Sequence, residues 1–228
     1  MYQNHSFGFA RLLHMIHQRT KDLCFLALSK ATLPNYWIHR AWPRKSGPIH
    51  LHLGCGPKYL SGFLNIDANP RRKVDLWLDV RCGLPFKSGS VDSIYTTHML
   101  EHFYSDELER LLKECRRVLR SGGGMRIIVP NLTSAIRAFQ ANSPEWFGSY
   151  PQNLTSLGGR FANFVFCAGQ HRTAFDFSYV DEILRGAGFE RIIPSREGQS
   201  MIYGEQVPPY EAPINEDLPH SLYVEAFP

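Results

Sequence analysis

Cysteine is scarce and scattered in this chain. Its 228 residues hold five, Cys24, Cys55, Cys82, Cys115 and Cys167, with no C-x-x-C pair among them. That pattern is neither a disulfide framework nor a zinc finger, and it leads us to expect reduced thiols and a cytoplasmic protein. Long apolar runs are also missing: near the start the longest is Leu23–Leu28, six residues. A membrane span needs about 20 apolar residues and a signal peptide about 7–15, so neither is expected. Without a secretion signal, the sequons at Asn131 and Asn153 are chance matches. No internal repeat or low-complexity tract is present. A one-sided charge is lacking as well. The 25 bases and 21 acids leave +4, and the surplus is local: residues 1–46 carry +6, residues 47–200 carry +3 and residues 201–228 carry −5. The sequence pI near 8.8 is therefore no sign of a nucleic-acid partner, and none is expected.

What is present is an alternation of short apolar strands and helical segments. Residues 7–46 carry Leu13, Ile16, Thr20, Leu23, Cys24, Ala27, Leu28 and Ala31 at helical spacing, which predicts an N-terminal helical cap over 1–46. Its basic residues could rest on another subunit, giving a homodimer, on an anionic membrane surface or over the cleft; a packed cap is the simplest arrangement. From 47 to 228 we expect one domain with strands at Ile49–Leu53, Phe63–Ile66, Val74–Leu78, Val91–Thr96, Met125–Val129, Phe189–Ile193 and Leu222–Phe227. Leu108, Leu111, Leu112, Cys115, Val118 and Leu119 predict an amphipathic helix ended by Ser121–Gly124, and Ser178 is the expected cap of a later helix. This order implies an α/β fold, a mostly parallel seven-stranded sheet with helices on both faces. An aromatic-rich stretch at 143–177 interrupts the rhythm and reads as an inserted lid.

The most informative stretch is Leu51-His52-Leu53-Gly54-Cys55-Gly56. A glycine pair directly after the first strand of an α/β sheet lets a ligand approach the backbone. Asp67 ends the second strand, where a carboxylate can take both hydroxyls of a ribose, and Asp79 ends the third, beside the place of an adenine ring. A dinucleotide site would want a further glycine where Tyr59 stands, so a ligand without phosphates is favoured. Together with Gly62–Asp67, Leu84-Pro85-Phe86, Val91–Tyr95, His98–His102 and Arg117–Asn131, these segments resemble the class I S-adenosylmethionine-dependent methyltransferases, within them the type 11-like group linked to small-molecule or surface-sugar modification. The resemblance spans residues 49–131 and, more loosely, 178–193. It implies a Rossmann-like methyltransferase sandwich and S-adenosylmethionine as cofactor. It also implies Gly54, Cys55 and Gly56 around the amino-acid portion of the cofactor, Asp67 on the ribose, Asp79 and Val80 on the adenine, and Thr97 and His98 as the wall below the methionine chain. The usual helix between the glycine turn and the second strand is cut to Pro57–Gly62, a departure from the common pattern.

Methyl transfer from a sulfonium needs alignment and a dry pocket, and a base is useful if the acceptor is a hydroxyl or a protonated amine. His98 and His171 are the candidate catalytic residues, and His102, Trp146, His171 and Arg172 the candidate acceptor contacts. Taken singly, each of these histidines is more often a structural residue, His102 packed in the helix and His171 bonded to backbone. His98-Met-Leu-Glu-His102 also matches the H-x-x-E-H pattern of some zinc peptidases. It follows a strand, however, with no third ligand evident downstream, so no metal is expected. Pro208-Pro209-Tyr210 sits in a late loop, away from the end of strand four where methyltransferases of base amino groups carry such a triplet. The expected activity is methylation of oxygen or nitrogen on a small-molecule acceptor, such as a sugar or a biosynthetic intermediate. A non-catalytic scaffold with the same fold and an RNA or protein methyltransferase are the alternatives.

Overall fold

The computed structural model describes residues 47–204 and 218–228, together with Pro208 and six helical positions, Thr20, Leu23, Cys24, Leu26, Ala27 and Lys30. Apart from those six positions, the expected N-terminal cap and its dimer role lie outside the described residues. So does the loop around the Pro-Pro-Tyr triplet, except Pro208. Among the described residues no helix is long and apolar enough to cross a membrane.

The strands are β1 (His50–Leu53), β2 (Leu64–Asp67), β3 (Leu76–Trp77), β4 (Val91–Thr97), β5 (Leu119–Pro130), β6 (Arg191–Ser195) and β7 (Ser221–Phe227). The helices are α1 (Ser105–Val118), α2 (Leu132–Gln140), α3 (Leu157–Phe166) and α4 (Phe177–Gly186). All seven strands form one sheet in the order β3-β2-β1-β4-β5-β7-β6. β1 to β5 run parallel, while β7 lies antiparallel to both β5 and β6. Two crossovers start from β1's flanks, so the carboxyl ends of β1, β2 and β4 meet at one edge, where ligands bind in open parallel sheets.

Side-chain alternation assigns the two faces of this sheet. Leu51, Leu53, Ile66, Ile94, Met125, Ile127, Val129, Val224 and Ala226 point to one side and join α1 and α4 in the main core. α1 contributes Leu108, Leu111, Leu112, Cys115 and Val118, the helical spacing seen in the sequence. Its outer face carries the pairs Arg110–Asp106 at 2.9 Å and Lys113–Glu109 at 2.5 Å. The opposite face of the sheet holds Tyr95, Ile128 and Tyr223, with Leu60, Phe63 and Tyr203 packed on them. A separate cluster of Ala135, Ala138, Trp146 and Phe147 gathers Leu157, Phe161, Phe164 and Leu218, so the aromatic-rich stretch has a small core of its own.

Several boundaries differ from the sequence expectation for physical reasons. The Ser121–Gly124 run does not end α1. The helix stops at Val118, and Leu119 already pairs with Val91 across an irregularity in the β4–β5 ladder. There Gly123 lies so close to the Asp92 carbonyl that a Cβ would stand 2.7 Å from it, so a glycine is needed for close approach. β3 is only two residues long, which leaves Asp79 beyond the strand rather than at its end. α4 is capped by Asp176, whose Oδ1 accepts from the Tyr179 backbone N–H at 2.9 Å, and not by Ser178. α2 was not foreseen; Asn131 caps it by accepting from the Ser134 N–H at 3.2 Å.

Candidate active site

The turn after β1 is shaped by its glycines. Gly54 and Gly56 both adopt left-handed backbone, with φ of +63° and +53°. A Cβ on Gly54 would drive into the Met99 side chain at 2.4–2.9 Å, whereas a Cβ on Gly56 would meet nothing within 4 Å. Gly54 is therefore fixed by packing from within, and Gly56 faces open space. Cys55, between them, has its side chain buried, and burial pushes its thiol up to about 11. Only its backbone is left to meet a ligand.

Asp67 ties the end of β2 to this turn. Its Oδ2 accepts from the Gly56 N–H and its Oδ1 from the Asn69 N–H, each at 2.8 Å. An ionised carboxylate offers about four acceptor positions, so capacity remains for a pair of ligand hydroxyls. These features fit the ribose end of a nucleoside. Asp79 is different. It is buried, caps the short 3-10 turn Val80–Cys82, and pairs with Arg81 Nη2 at 2.6 Å and Nε at 3.0 and 3.1 Å. Its carboxylate is already filled, so the adenine-side contact expected of it falls to the backbone of this turn or requires Arg81 to move. Val80 is buried in the main core. Against the same turn, the Cys82 thiol lies 3.9 Å from the Leu26 carbonyl of the N-terminal helical positions.

The end of β4 supplies the third wall. Thr97 is buried and closes the strand. His98 follows in left-handed backbone at φ +49°, uncommon for a residue with a side chain, its N–H bonded to the Ile128 carbonyl at 2.9 Å. This kink aims Met99 onto Gly54 and starts the short 3-10 turn Leu100–His102. The loop after α3 then folds back onto it. Arg172 and Thr173 donate backbone N–H bonds to the Glu101 carbonyl at 2.6 and 3.2 Å, and the Thr173 hydroxyl donates to the Phe103 carbonyl at 2.8 Å.

That clasp brings together residues far apart in sequence. Glu101 is buried, its side chain 2% exposed. Its Oε1 lies 3.4 Å from His98 Nδ1 and 4.0 Å from His171 Nε2. The His102 and His171 rings meet edge to face at 5.3 Å. Burial, opposed by the Glu101 charge, lowers the His171 pKa below its ordinary value. Three of the histidines and acceptor contacts named from sequence thus converge on Glu101, which sequence reasoning did not single out although it stands inside H-M-L-E-H.

Two other candidates are not brought there. Trp146 is a wall of the satellite core, not an acceptor contact: its ring stacks on His220 at 4.1 Å and its Nε1–H donates to the Leu218 carbonyl at 2.9 Å. The Arg172 guanidinium bonds the Gly169 carbonyl and sits 5.5 Å over the Tyr104 ring, so it is committed to its own loop.

Residues 67–127 match the family model described as a methyltransferase domain. The match spans the segment from the end of β2 into β5, next to the glycine turn after β1. Over those residues the chain carries a methyltransferase domain. Methyl transfer, with S-adenosylmethionine as cofactor, is the reaction this domain match supports. No curated protein matches the chain. Among solved structures, the chain is similar to a SAM-dependent methyltransferase from Archaeoglobus fulgidus, at 16% identity and TM-score 0.48, over 91% of this chain and 94% of that one. It is also similar to a Thermotoga maritima protein described as a possible histamine N-methyltransferase, at 14% identity and TM-score 0.49, over 96% and 99% of the two chains. A third, from Mesorhizobium loti, is 18% identical with TM-score 0.44, over 87% and 98%.

Proposed function

We propose that this methyltransferase methylates an oxygen or nitrogen on a small-molecule acceptor, such as a sugar or a biosynthetic intermediate. The observation that carries the proposal is His98. It directly follows β4, and its chain neighbour Met99 packs on Gly54, so its backbone stands next to the residue that touches the glycine turn. Glu101 Oε1 at 3.4 Å steadies its Nδ1, and its Nε2 lies 3.1 Å from the Ser221 hydroxyl. A histidine held in this way through Nδ1 can take a proton on Nε2 from an acceptor hydroxyl or ammonium that displaces the Ser221 hydroxyl.

Bound S-adenosylmethionine supplies an activated methyl group on a sulfonium. The chain's own contribution is then placement and proton handling. In this reading Gly54, Cys55 and Gly56 offer backbone to the amino-acid portion, Asp67 takes the ribose hydroxyls, and the Asp79–Val80 turn lies beside the adenine. Thr97 and His98 form the wall below the methionine chain, and His102 and His171 line the acceptor side. A small acceptor is favoured over RNA because residues 47–228 carry two more acids than bases, against the basic surface that phosphate contacts require.

Calorimetry with S-adenosylmethionine tests the cofactor assignment: Asp67→Ala should weaken binding by roughly tenfold, and unchanged affinity would refute the ribose contact. Turnover of a panel of sugars, hydroxy acids and amines, read as release of the demethylated cofactor, tests the acceptor class. His98→Ala should lower kcat while leaving cofactor affinity in place, and full activity in that variant would remove its role as base.

A further inference from the structure

Glu101, which steadies His98 through Oε1, also stands with His102 and His171 in a second constellation. One ligand atom from each lies within 4.8 Å of the other two. Two observations make this more than proximity. The first is the ring orientation. His102 Nδ1 faces the Gln170 carbonyl and His171 Nδ1 the Val165 carbonyl, each at 3.1 Å. A carbonyl can only accept, so both Nδ1 atoms carry the proton, and both Nε2 atoms present a lone pair when the rings are neutral. Pinning one ring nitrogen to a carbonyl and freeing the other is the support that metal-ligating histidines have. The second observation is the carboxylate. Glu101 is almost wholly buried, and its Oε2 has no hydrogen-bond partner among the described residues. A buried carboxylate oxygen left unpaired is costly, and a cation would satisfy it.

We propose that Glu101, His102 and His171 bind one divalent ion of the zinc class. Two imidazoles and one carboxylate suit zinc or a neighbouring first-row transition ion far better than magnesium, which prefers oxygen ligands. Ligand atoms around a tetrahedral zinc stand about 3.3 Å apart at bonds of about 2.0–2.1 Å, so the three side chains need only rotate inward by about an ångström. A three-ligand set leaves a position for water or for an oxygen of the acceptor. The site is independent of how the acceptor is assigned, and its ligands come from two segments that the backbone bonds of Arg172 and Thr173 to Glu101 already hold together.

The test is calorimetric titration of the full chain, stripped with a chelator, against zinc and separately against magnesium. Cobalt absorption serves as a second readout of ligand geometry. Zinc should bind at one ion per chain, with magnesium far weaker. Glu101→Gln and His102→Ala should each weaken zinc by roughly tenfold or more and abolish the tetrahedral cobalt bands. His102 is exposed, so that variant folds even if the buried Glu101→Gln does not; its thermal melt and its affinity for S-adenosylmethionine, expected to match wild type, confirm this. Absence of zinc binding, zinc affinity unchanged in His102→Ala, or equal affinity for magnesium would each overturn the proposal. Retained S-adenosylmethionine binding in the same samples separates such a failure from failure of the methyl-transfer reading.

Discussion

On one face of the central sheet, Leu51, Ile94, Ile127 and Val224 meet α1 and α4. One residue along each of the same strands, on the other face, stand His52, Tyr95, Arg126 and Glu225. All four of these are buried as fully as the aliphatic set. The chemistry could hardly differ more. The aliphatic face is held by non-directional burial, worth about 1.5–3 kcal/mol per large side chain. The polar residues of the other face are held by directed bonds, those of Arg126 and Glu225 above all, while His52 Nε2 has no partner among the described residues. Arg126 and Glu225 sit opposite each other in the β5–β7 ladder, 3.1 Å apart, with both side chains 0% exposed. Arg126 also donates to Ser195 Oγ and to the carbonyls of Gln199 and Arg196 at 2.8–2.9 Å, while Glu225 accepts from the Met201 N–H at 2.8 Å. This network anchors the segment after β6 to the sheet. The lesson is that a face of directed bonds is the more brittle one: it tolerates the loss of one partner poorly, where an aliphatic face partly closes around a gap.

Breaking that network should have the largest effect. Arg126→Met leaves Glu225 buried and unpaired and should cost about 3–5 kcal/mol in urea unfolding, with Arg126→Met/Glu225→Leu recovering part of the loss. On the aliphatic face, Ile127→Ala should cost roughly 3 kcal/mol, independent of pH. If Ile127→Ala proved the more damaging, the contrast between the faces would collapse. The third measurement sharpens the contrast through protonation. Burial drives the His52 pKa down from 6.5 to about 4, against a raising contribution from its hydrogen bond to Asn65 Oδ1 at 3.2 Å. Above pH 6.5 the ring is neutral whether the chain is folded or not. As pH falls from about 6.5 towards 4 the unfolded chain takes up a proton that the folded one refuses. Stability should therefore drop by up to roughly 3 kcal/mol across that window. His52→Phe should flatten this part of the pH profile of the urea midpoint, and an identical profile in both proteins would show that His52 is not buried as a neutral ring.

The aliphatic face was legible because period-two alternation of Leu, Ile and Val is a strong signal, and the glycine turn was legible because little but glycine tolerates such backbone so close to a neighbour. The polar face was not. Histidine, arginine and glutamate at alternate strand positions read as solvent-facing until their partners are known, and Arg126 finds Glu225 only through the antiparallel return of β7. The same holds at the site. His98, His102 and Asp67 could be named from their places at strand ends and in motifs, while the pairing of Asp79 with Arg81 two residues on was not foreseen. The sequence offered no third partner for H-x-x-E-H, because His171 reaches Glu101 only through a loop clasped by backbone hydrogen bonds, which carry no side-chain signature. Trp146 looked like an acceptor contact for the converse reason: an aromatic in a glycine-rich stretch does not announce that it has a core of its own.

The two outer strands of the sheet bear on behaviour at high concentration. β3 offers only Leu76 and Trp77 as a ladder, and β6, on the far side, carries Pro194 and the exposed Arg191. A strand that short gives another chain almost no register to lock onto, and a proline and a cation on the opposite rim interrupt any incoming ladder. The sheet is thereby closed to growth at both margins, so exposed strand edges should not drive this protein into intermolecular β-assembly.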